Sequence, residues 1–416
     1  MSAMNLPTNR ARIAVLNQGY IPHYRLRFFE LLAERGGAEY VVFHGAPPSW
    51  VGVEAAKGPF GFAQRWVDNR EIRVGPWTAI YQPVVREILT GGYDAVVLGA
   101  DLKFVSSVLL ALLARLRGIA VLYWDFGYHP KRGFSHGTSA PGGVMAVARL
   151  VKNALAKLAD GYLAYTKSGA ERLAAIGYPP DRIFVLQNTI DMTEQLRLYD
   201  AVQQREPEQI RAELGVRPDS TIFVYLGRLV EFKRVDLLIE AVRRIARDRT
   251  TAKPVEALII GSGPLEADLK EMAADVPEVH FLGALPANEA VACALRIAAA
   301  AVIPGAVGLA VNHAFAHGRP MITGDNELHG PEIEYIVDGE NGMIVRGGAA
   351  EFAAALARLA DSPECQARLA GGALDARQGL RMETMVEQFD IGIRATLERR
   401  RLGRPGKRPA ASAEIK

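Results

Sequence analysis

The strongest constraint on the fold is a repeated alternation between short apolar runs and longer segments with helical spacing. Apolar runs at residues 12–17 and 161–165, for example, are separated by segments such as 25–35, whose apolar residues recur every three or four positions. Short continuous apolar runs are typical of parallel strands buried on both faces. The alternation therefore predicts an α/β protein built on a doubly wound parallel sheet.

The same pattern starts a second time further along the chain. Residues 189–218 are polar and charged without a strand pattern, and a new apolar run at 221–226 is followed by a helical pattern at 235–247. A chain of 416 residues has enough length for two domains of about 200 residues each. We therefore predict two Rossmann-like doubly wound domains that face an interdomain cleft.

The expected domain boundaries follow from these patterns. Helical spacing at 382–397 predicts a last helix that crosses back to the first domain, and the arginine-rich end with Pro405 and Pro409 has no periodicity. The predicted divisions are a first domain at 1–190, a linker at 191–218, a second domain at 219–380, the returning helix at 381–398 and a basic disordered tail at 399–416.

Charge and apolar runs limit the partners and the location. The net charge of +3 is too small to indicate nucleic acid. The longest apolar run, near 105–113, is shorter than a membrane span, and residues 1–12 lack a signal core, so we expect a cytoplasmic protein. The segment 144–158 is basic and amphipathic, and it fits either a packed helix with a solvated edge or weak contact with an anionic inner membrane face. The basic tail fits either a solvated, disordered segment or a weak anchor to anionic lipid.

Two loops after predicted strands have the composition of a diphosphate site. Arg228 and Lys233 follow the strand at 221–226, where Gly227 permits a tight turn; a guanidinium and an ammonium are suited to phosphate oxygens. Gly261 and Gly263 follow the next strand, where the lack of side chains would allow a ligand to come close to the backbone. The alternatives are that Arg228 and Lys233 are solvated loop residues and that the two glycines form an ordinary turn. The dinucleotide Gly-x-Gly-x-x-Gly pattern and the P-loop are absent from these positions.

Residues 305–318 predict a second set of contacts for a phosphate or a hydroxyl group. Gly308 and Leu309 open a helical pattern, and N–H groups at a helix start can hold a phosphate or a sugar hydroxyl. His313 and His317 share a helix face, but no third ligand accompanies them, so we predict a hydrogen-bonding or structural role. The chain also lacks an Asp-x-Asp motif, and we therefore expect no metal and no other cofactor.

Polar residues in the first domain are candidates for a second set of groups in the cleft. Asp125 and His129 follow the strand at 120–124 and could point into the cleft, although a strand-end aspartate can equally cap the next turn. The loop after the first strand contributes a second set of residues. The candidate residues of this loop are Gln18, Gly19, His23 and Arg25.

Four motifs together resemble glycosyltransferase family 4, the retaining enzymes of the GT-B fold. Gly227-Arg228-Leu229 with Lys233 is similar to the family's diphosphate element, and residues 261–264 are similar to its Gly-x-Gly-Pro loop. Residues 188–191 resemble its Asn-Gly-Val-Asp element, and residues 334–342 resemble its Glu-x-Val-x-Asp-Gly…Asn-Gly stretch. The resemblance covers residues 12–397 and is strongest between 183 and 346.

The chain departs from the family where two glutamates normally flank Gly-Phe-Gly-Leu. With Gly308-Leu309 set on that Gly-Leu, Gly305 takes the place of the first glutamate and His313 that of the second. The resemblance then implies backbone contacts with the donor around Gly305, Val307 and Gly308, and a ribose contact from His313. The Val-Gly-Leu…His pattern resembles a subgroup of bacterial surface-polysaccharide transferases.

The resemblance implies transfer of a hexose or deoxyhexose from a UDP- or GDP-sugar, with retention, to an acceptor hydroxyl. Arg228 and Lys233 would stabilise the leaving diphosphate without a metal. The second domain would bind the nucleotide sugar, and the first would be the acceptor side. The acceptor would be a glycan, a lipid-linked glycan or a small natural product, in polysaccharide or glycolipid synthesis. The acceptor-side residues that the resemblance implies are Gln18, Gly19, His23 and Arg25, with Asp125 and His129 nearby. The alternatives are a sugar-nucleotide epimerase, a catalytically silent nucleotide-sugar-binding partner, for which Gly305 is the argument, and more distantly an oxidoreductase.

Overall fold

The structure of the protein is a computed structural model that describes residues 10–17, 19–49, 53–74, 77–126, 142–285, 288–326 and 328–402. The chain forms two compact units. The first contains Met1–Gln187 and Glu383–Lys416, and the second contains Asn188–Met382. Each unit has its own parallel sheet with helices, so the predicted pair of Rossmann-like domains is confirmed.

The first unit is built on a seven-stranded parallel sheet in the order β3-β2-β1-β6-β7-β8-β9, with a separate antiparallel β4–β5 hairpin. Its strands are β1 (Arg12–Leu16), β2 (Glu39–His44), β3 (Gln64–Trp66), β4 (Arg70–Val74), β5 (Trp77–Tyr81), β6 (Ala95–Leu98), β7 (Ala120–Asp125), β8 (Gly161–Ala164) and β9 (Ile183–Val185). Its helices are α1 (Leu26–Arg35), α2 (Val85–Thr90), α3 (Val105–Leu113), α4 (Gly142–Leu158) and α5 (Lys167–Ala175), with 3-10 turns at His23–Arg25, Ala114–Arg117 and Pro180–Arg182.

The second unit is built on a six-stranded parallel sheet in the order β12-β11-β10-β13-β14-β15. Its strands are β10 (Thr221–Leu226), β11 (Val255–Ile260), β12 (Val279–Gly283), β13 (Ala298–Ile303), β14 (Met321–Gly324) and β15 (Gly342–Val345). Its helices are α6 (Met192–Gln203), α7 (Pro207–Leu214), α8 (Val235–Asp248), α9 (Glu266–Met272), α10 (Asn288–Ile297), α11 (Ala310–Ala316), α12 (Ala349–Ala360) and α13 (Pro363–Ala376), with 3-10 turns at Glu231–Lys233, Pro331–Tyr335 and Arg377–Gly379.

Both faces of the second sheet are buried, which explains the continuous apolar runs of its strands. In β10, Phe223 and Tyr225 belong to one apolar core, whereas Ile222 and Val224 belong to another on the opposite face. Successive side chains of a strand point to opposite faces, so one strand contributes to both cores. This two-sided burial is what a doubly wound sheet requires.

Residues 191–218, expected to form a linker, fold instead as α6 and α7 within the second unit. Leu198, Val202 and Ile210 of these helices are buried in the same core as Ile222 of β10. Their apolar residues are sparse and widely spaced, so the segment looks polar as a whole. Asp191 caps α6 by accepting a hydrogen bond from the Glu194 N–H at 3.0 Å.

The last helix, α14 (Met382–Leu402), belongs to the first unit. Its Asp390 is buried and accepts hydrogen bonds from Tyr40 at 2.8 Å and from Arg35 at 3.2 Å. The helix continues past residue 398 because Arg399 donates to the Asp181 carbonyl at 2.6 Å and Arg400 pairs with Asp160. The predicted tail therefore begins too early, and its remaining part, residues 403–416, lies outside the described residues.

Among the described residues, no helix combines the length and apolar character that crossing a membrane requires.

Candidate functional site

The site predicted from Arg228, Lys233 and the glycines lies at the topological switch point of the second sheet. The chain passes from β10 to β11 on one side, whereas β13 pairs with the other side of β10. In such sheets ligands bind outside the carboxyl ends of the strands, where the strand order reverses. Three loops leave the sheet there, at residues 227–234 after β10, 261–265 after β11 and 304–309 after β13.

The first two loops are joined backbone to backbone. The Leu229 N–H donates to the Ser262 carbonyl at 2.9 Å, and the Leu229 carbonyl accepts from Leu265 at 3.2 Å. A Cβ on Gly261 would lie 1.8 Å from the Gly227 carbonyl oxygen, and one on Gly263 would lie 2.4 Å from that of Leu229. The glycines at 261 and 263 are therefore required by the approach of the two loops, before any ligand is considered.

Gly305 makes a similar contact with the loop that carries Lys233. The Gly305 N–H donates to the Lys233 carbonyl at 2.9 Å, and the Ala306 N–H donates to the Phe232 carbonyl at 2.8 Å. A Cβ on Gly305 would lie 2.2 Å from the Phe232 oxygen. This position therefore has no room for a glutamate side chain while the loops keep this contact, and its N–H is already used within the protein.

The Val307 N–H is also used within the protein, by a residue that the sequence analysis did not identify. It donates to His329 Nδ1 at 3.2 Å, and His329 Nε2 lies 2.8 Å from the Gly324 carbonyl oxygen at the end of β14. An imidazole that accepts at Nδ1 and donates at Nε2 is neutral, with its proton on Nε2. The expected donor contacts through the N–H groups of Gly305 and Val307 are thus replaced by contacts that shape the loop.

The N–H groups of the next two residues face no such partner. Within the described part of the chain, the N–H groups of Gly308 and Leu309 make no hydrogen bond. A Cβ on Gly308 would lie 3.9 Å from Lys233 Nζ, so the ammonium lies close to this turn. Helix α11 has only seven residues. The positive character of the turn therefore comes chiefly from Lys233 and these individual amides.

Lys233 and Arg228 differ in how firmly they are held. Lys233 Nζ donates to the Ala306 carbonyl, which fixes the side chain across the gap between two loops. Arg228 is exposed, and its guanidinium has no hydrogen bond or ion pair with any described residue. Its carbonyl instead accepts from the Tyr225 hydroxyl at 2.7 Å, which fixes the backbone below the side chain. The arrangement offers one positioned ammonium and one adaptable guanidinium to an anion.

His313 lies on α11 beside α6. Its Nδ1 is 3.1 Å from Oε1 of Gln195, a buried residue of α6. The neighbouring Asn312 is fully buried and donates to the Thr189 hydroxyl at 3.2 Å. The segment expected to be a linker thus orients the histidine. Gln195 carried no recognisable sequence signal, because its role depends on the packing of α6 against α11.

His317 is a buried residue without a hydrogen-bond partner for either ring nitrogen within the described structure. Its ring packs edge-on against Tyr199 at a centroid distance of 6.0 Å. Burial, together with the positive charges of His313, Arg319 and Arg377, lowers the pKa of His317 to about 3. The side chain is therefore neutral and structural, and among the described residues no cluster of three His, Cys, Asp or Glu side chains forms a metal site.

This lowered pKa predicts a loss of stability in acid. Between the unfolded value near 6.5 and about 3, the unfolded chain binds a proton at His317 and the native chain does not, so stability falls as pH falls. In the wild-type protein, His317 should lower the free energy of unfolding by about 2–3 kcal/mol between pH 7.5 and pH 4.5. We expect the His317→Leu variant to lack this part of the decrease. Urea unfolding at both pH values measures it; an unchanged decrease in the variant would contradict the assignment.

In the first unit, the predicted acceptor-side residues are distributed between the surface and the interior. The N–H of Phe126 and Lys152 Nζ both contact the Asp125 carboxylate, at 2.5 and 3.3 Å. Asp125 thus caps the strand end and pairs with α4, as one of the two interpretations predicted. His129 and Gln18 lie outside the described residues.

The loop after β1 leads to the switch point of the first sheet, where β1 is flanked by β2 and β6. Gly19 has a φ of 74°, and its carbonyl accepts from Asn69 at 2.7 Å. His23 is exposed, with Nδ1 3.2 Å from the Glu54 carbonyl oxygen. Arg25 is 4% exposed and its guanidinium lies over the rings of Trp124 and Tyr165, each at 5.5 Å, so it is packed in the interior.

The two units define a GT-B fold, as the sequence predicted. HepE of Anabaena, solved in complex with UDP, superimposes with a TM-score of 0.68 at 17% identity over 92% of this chain and all of that one. Residues 220–362, which include all three loops of the site, match the family Glycosyl transferases group 1. The second unit therefore carries the sequence signature of these transferases.

Curated relatives that are named as glycosyltransferases match part of the chain. The D-inositol 3-phosphate glycosyltransferase of Frankia alni is 29% identical over 213 residues, 48% of this chain and 50% of that protein. The enzyme of the same name from Corynebacterium glutamicum is 31% identical over 207 residues, 47% of each chain. The chain thus spans about half the length of the curated relatives it matches.

Proposed function

We propose that this protein is a glycosyltransferase that moves a hexose or deoxyhexose from a UDP- or GDP-sugar to an acceptor hydroxyl. The observation that carries the proposal is the position of Lys233 Nζ beside the turn at Gly308, at the switch point of the second sheet. HepE, which has the same fold, has been solved with UDP, with UDP and glucose, and with UDP-glucose. A nucleoside diphosphate fits the charges and free amides of this site.

In this proposal the protein acts mainly on the leaving group. As the bond from the anomeric carbon to the diphosphate breaks, negative charge grows on the diphosphate oxygens. Lys233, Arg228 and the amides of Gly308 and Leu309 would stabilise that charge, which lowers the barrier. We infer retention at the anomeric carbon, with the departing diphosphate helping to accept the acceptor proton. A divalent metal is then not needed to neutralise the diphosphate.

We infer that the acceptor binds the first unit, near Gly19, His23 and Asp125. The Val307-Gly308-Leu309…His313 sequence supports a role in polysaccharide or glycolipid synthesis, with a lipid-linked glycan presented at the inner membrane face. A soluble acceptor is the alternative, because the inositol phosphate named for the curated relatives is small and polar. We also propose that the protein acts in the cytoplasm, because nucleotide sugars are made there.

A transfer assay tests the activity. Purified full-length protein is incubated with radiolabelled UDP-glucose, UDP-galactose or GDP-mannose and a membrane extract as the acceptor source, with and without EDTA. Release of free nucleotide with label in a new product supports the proposal, and the anomeric configuration of that product, read by NMR, decides retention. If no donor is consumed, the protein is not a transferase for these sugars.

A catalytically silent nucleotide-sugar-binding partner is the second candidate. Gly305 favours it, because the family's first glutamate has no counterpart at this position and the Phe232 carbonyl occupies the space for one. Binding of a UDP- or GDP-sugar without turnover, in the presence of a competent acceptor extract, would support this candidate over the transferase.

His313→Ala separates ribose binding from a structural role. Since Gln195 fixes the imidazole, the ring could be presented to a ribose without further ordering. Loss of one such hydrogen bond is worth about 1–1.5 kcal/mol, so we expect the donor KM to rise roughly tenfold with kcat nearly unchanged. Steady-state kinetics measure it, with Gln195→Met as the control that keeps the ring but removes its partner. A lower melting temperature with an unchanged KM would assign His313 to the fold.

A further inference from the structure

Two neighbouring helices of the first unit expose an unusual amount of apolar surface. Among the residues that the structure describes, fifteen large apolar side chains are exposed, and eight of them lie on α3, the 3-10 turn that follows it, and α4. We call these eight the leucine surface. They are Leu109, Leu112, Leu113, Leu116, Val147, Leu150, Val151 and Leu158.

The exposed residues form a stripe on each helix. On α3 and the turn after it they occupy positions 109, 112, 113 and 116, whereas Leu110 and Ala114 between them are buried in the core. On α4 the exposed residues at 147, 150 and 151 take the first three places of this spacing, the exposed Ala154 takes the fourth place, Leu158 lies one turn further on, and Leu155 is buried. A helix at the surface of a domain normally turns one apolar stripe inward. An additional outward stripe on both helices indicates a surface that is covered by something else.

Contacts between the helices place the two stripes side by side. Helix α3 packs on α4. Arg115, next to Leu116, donates to the Leu158 carbonyl at the end of α4, and its guanidinium lies 3.8 Å from the Asp160 carboxylate. The ends of the two helices are therefore held together, and we treat the eight exposed side chains as one surface of this helix pair.

Charge identifies the kind of partner. Residues 105–117 and 142–158 contain no Asp or Glu, and their basic residues are Arg115, Arg117, Arg149, Lys152 and Lys157. Lys152 is used by Asp125, but Arg117 and Lys157 are exposed beside the leucine surface. Apolar side chains with flanking cations match a bilayer that contains anionic lipid. A second copy is less suitable, because a two-fold contact brings the same basic edges together.

We propose that the leucine surface docks this protein on the surface of an anionic bilayer. Docking would bring the protein to the membrane-presented acceptor of the proposed function. The role of the surface, though not the evidence for it, therefore rests on that proposed function. Its evidence is separate, since α3 and α4 belong to the first unit and the donor site belongs to the second. The sequence pattern indicated membrane contact for the segment at 144–158 and for the basic tail, but not for α3.

Vesicle flotation of the full-length protein tests the proposal without donor or acceptor. We expect binding to vesicles of phosphatidylcholine and phosphatidylglycerol at 7:3, and little binding to phosphatidylcholine alone. Leu112→Ser, Leu116→Ser and Leu150→Ser combined should reduce the partition coefficient roughly tenfold or more. Arg117→Glu with Lys157→Glu should reduce it and weaken its salt dependence. All five side chains are exposed, and circular dichroism checks that the variants fold.

Matched controls make the outcome decisive. Trp66→Ser, Ile72→Ser and Met272→Ser combined remove three exposed apolar side chains elsewhere and should leave binding unchanged. Lys233→Ala should also bind vesicles normally, so failure of the donor site and failure of the docking surface are distinguishable. The proposal is overturned if wild-type protein does not bind anionic vesicles, if the leucine variant binds as well as wild type, or if that variant only converts a dimer to a monomer.

Discussion

Replacing Lys233 by alanine should lower kcat/KM for sugar transfer by roughly 10²–10³, which corresponds to about 2.7–4 kcal/mol of transition-state stabilisation. The ammonium is held beside the Gly308 turn, where it does not need to reorganise as charge develops on the diphosphate. The loss should appear in kcat as well as in KM, because the leaving diphosphate gains charge only as the bond breaks. Steady-state kinetics with the preferred donor measure both constants.

Two further variants show whether the effect is specific. Arg228→Ala should have a smaller effect, because that guanidinium is exposed and must be ordered when the ligand binds. Arg234→Gln is the matched control, since it removes one positive charge from the neighbouring residue, whose guanidinium pairs with Asp236 at 2.8 Å. We expect it to keep nearly full activity. Equal losses in Lys233→Ala and Arg234→Gln would indicate a general effect of charge and contradict the diphosphate assignment.

Gly305→Ala should damage both stability and activity. Its Cβ would lie 2.2 Å from the Phe232 oxygen and 2.5 Å from the Lys233 carbonyl carbon, which are backbone atoms that cannot rotate away. Relief of this overlap should cost about 1–3 kcal/mol of unfolding free energy. Because the loop that carries Lys233 must shift, kcat/KM should fall as well. Urea unfolding and donor kinetics on the same preparation measure the two effects.

Gly308→Ala is the control for the stability part of this prediction. The nearest atom to its added Cβ is Lys233 Nζ at 3.9 Å, an ordinary contact, so the free energy of unfolding should change little. Gly305→Glu, which introduces the glutamate typical of the family, should be more harmful than Gly305→Ala. A Gly305→Glu protein that is stable and more active would show that the loop has room for the side chain after all.

The strands and the site loops could be predicted because their signals are local. The strand at 221–226 was predicted with the observed bounds of β10, and the glycines after β10, β11 and β13 marked the site loops. Other elements lack such signals. The hairpin of β4 and β5 is short and carries charged residues such as Arg70 and Arg73, so its residues did not show a continuous apolar run.

The internal roles of the glycines and of His329 could not be predicted from a single sequence. Gly305 looks like a missing catalytic side chain, and only the approach of the Phe232 carbonyl shows why the backbone needs glycine there. His329 contacts Val307, which is 22 positions away, so no local pattern reveals it. Its position shortly after β14, at the carboxyl edge of the sheet, was the available signal. The residues that orient a site are fixed by tertiary contacts, whereas the residues that form its loops follow local rules.

The central claim is that the second unit holds a nucleoside diphosphate without a metal. The most direct measurement is the thermal shift of the full-length protein with UDP, GDP, ADP and their sugars, each with and without EDTA. We expect UDP or GDP compounds to stabilise the protein selectively. EDTA should not remove this stabilisation, and Lys233→Ala should greatly reduce it. A ligand concentration of 100 times Kd corresponds to about 2.7 kcal/mol of added unfolding free energy. No shift with any nucleotide, or a shift that persists unchanged in Lys233→Ala, would contradict it.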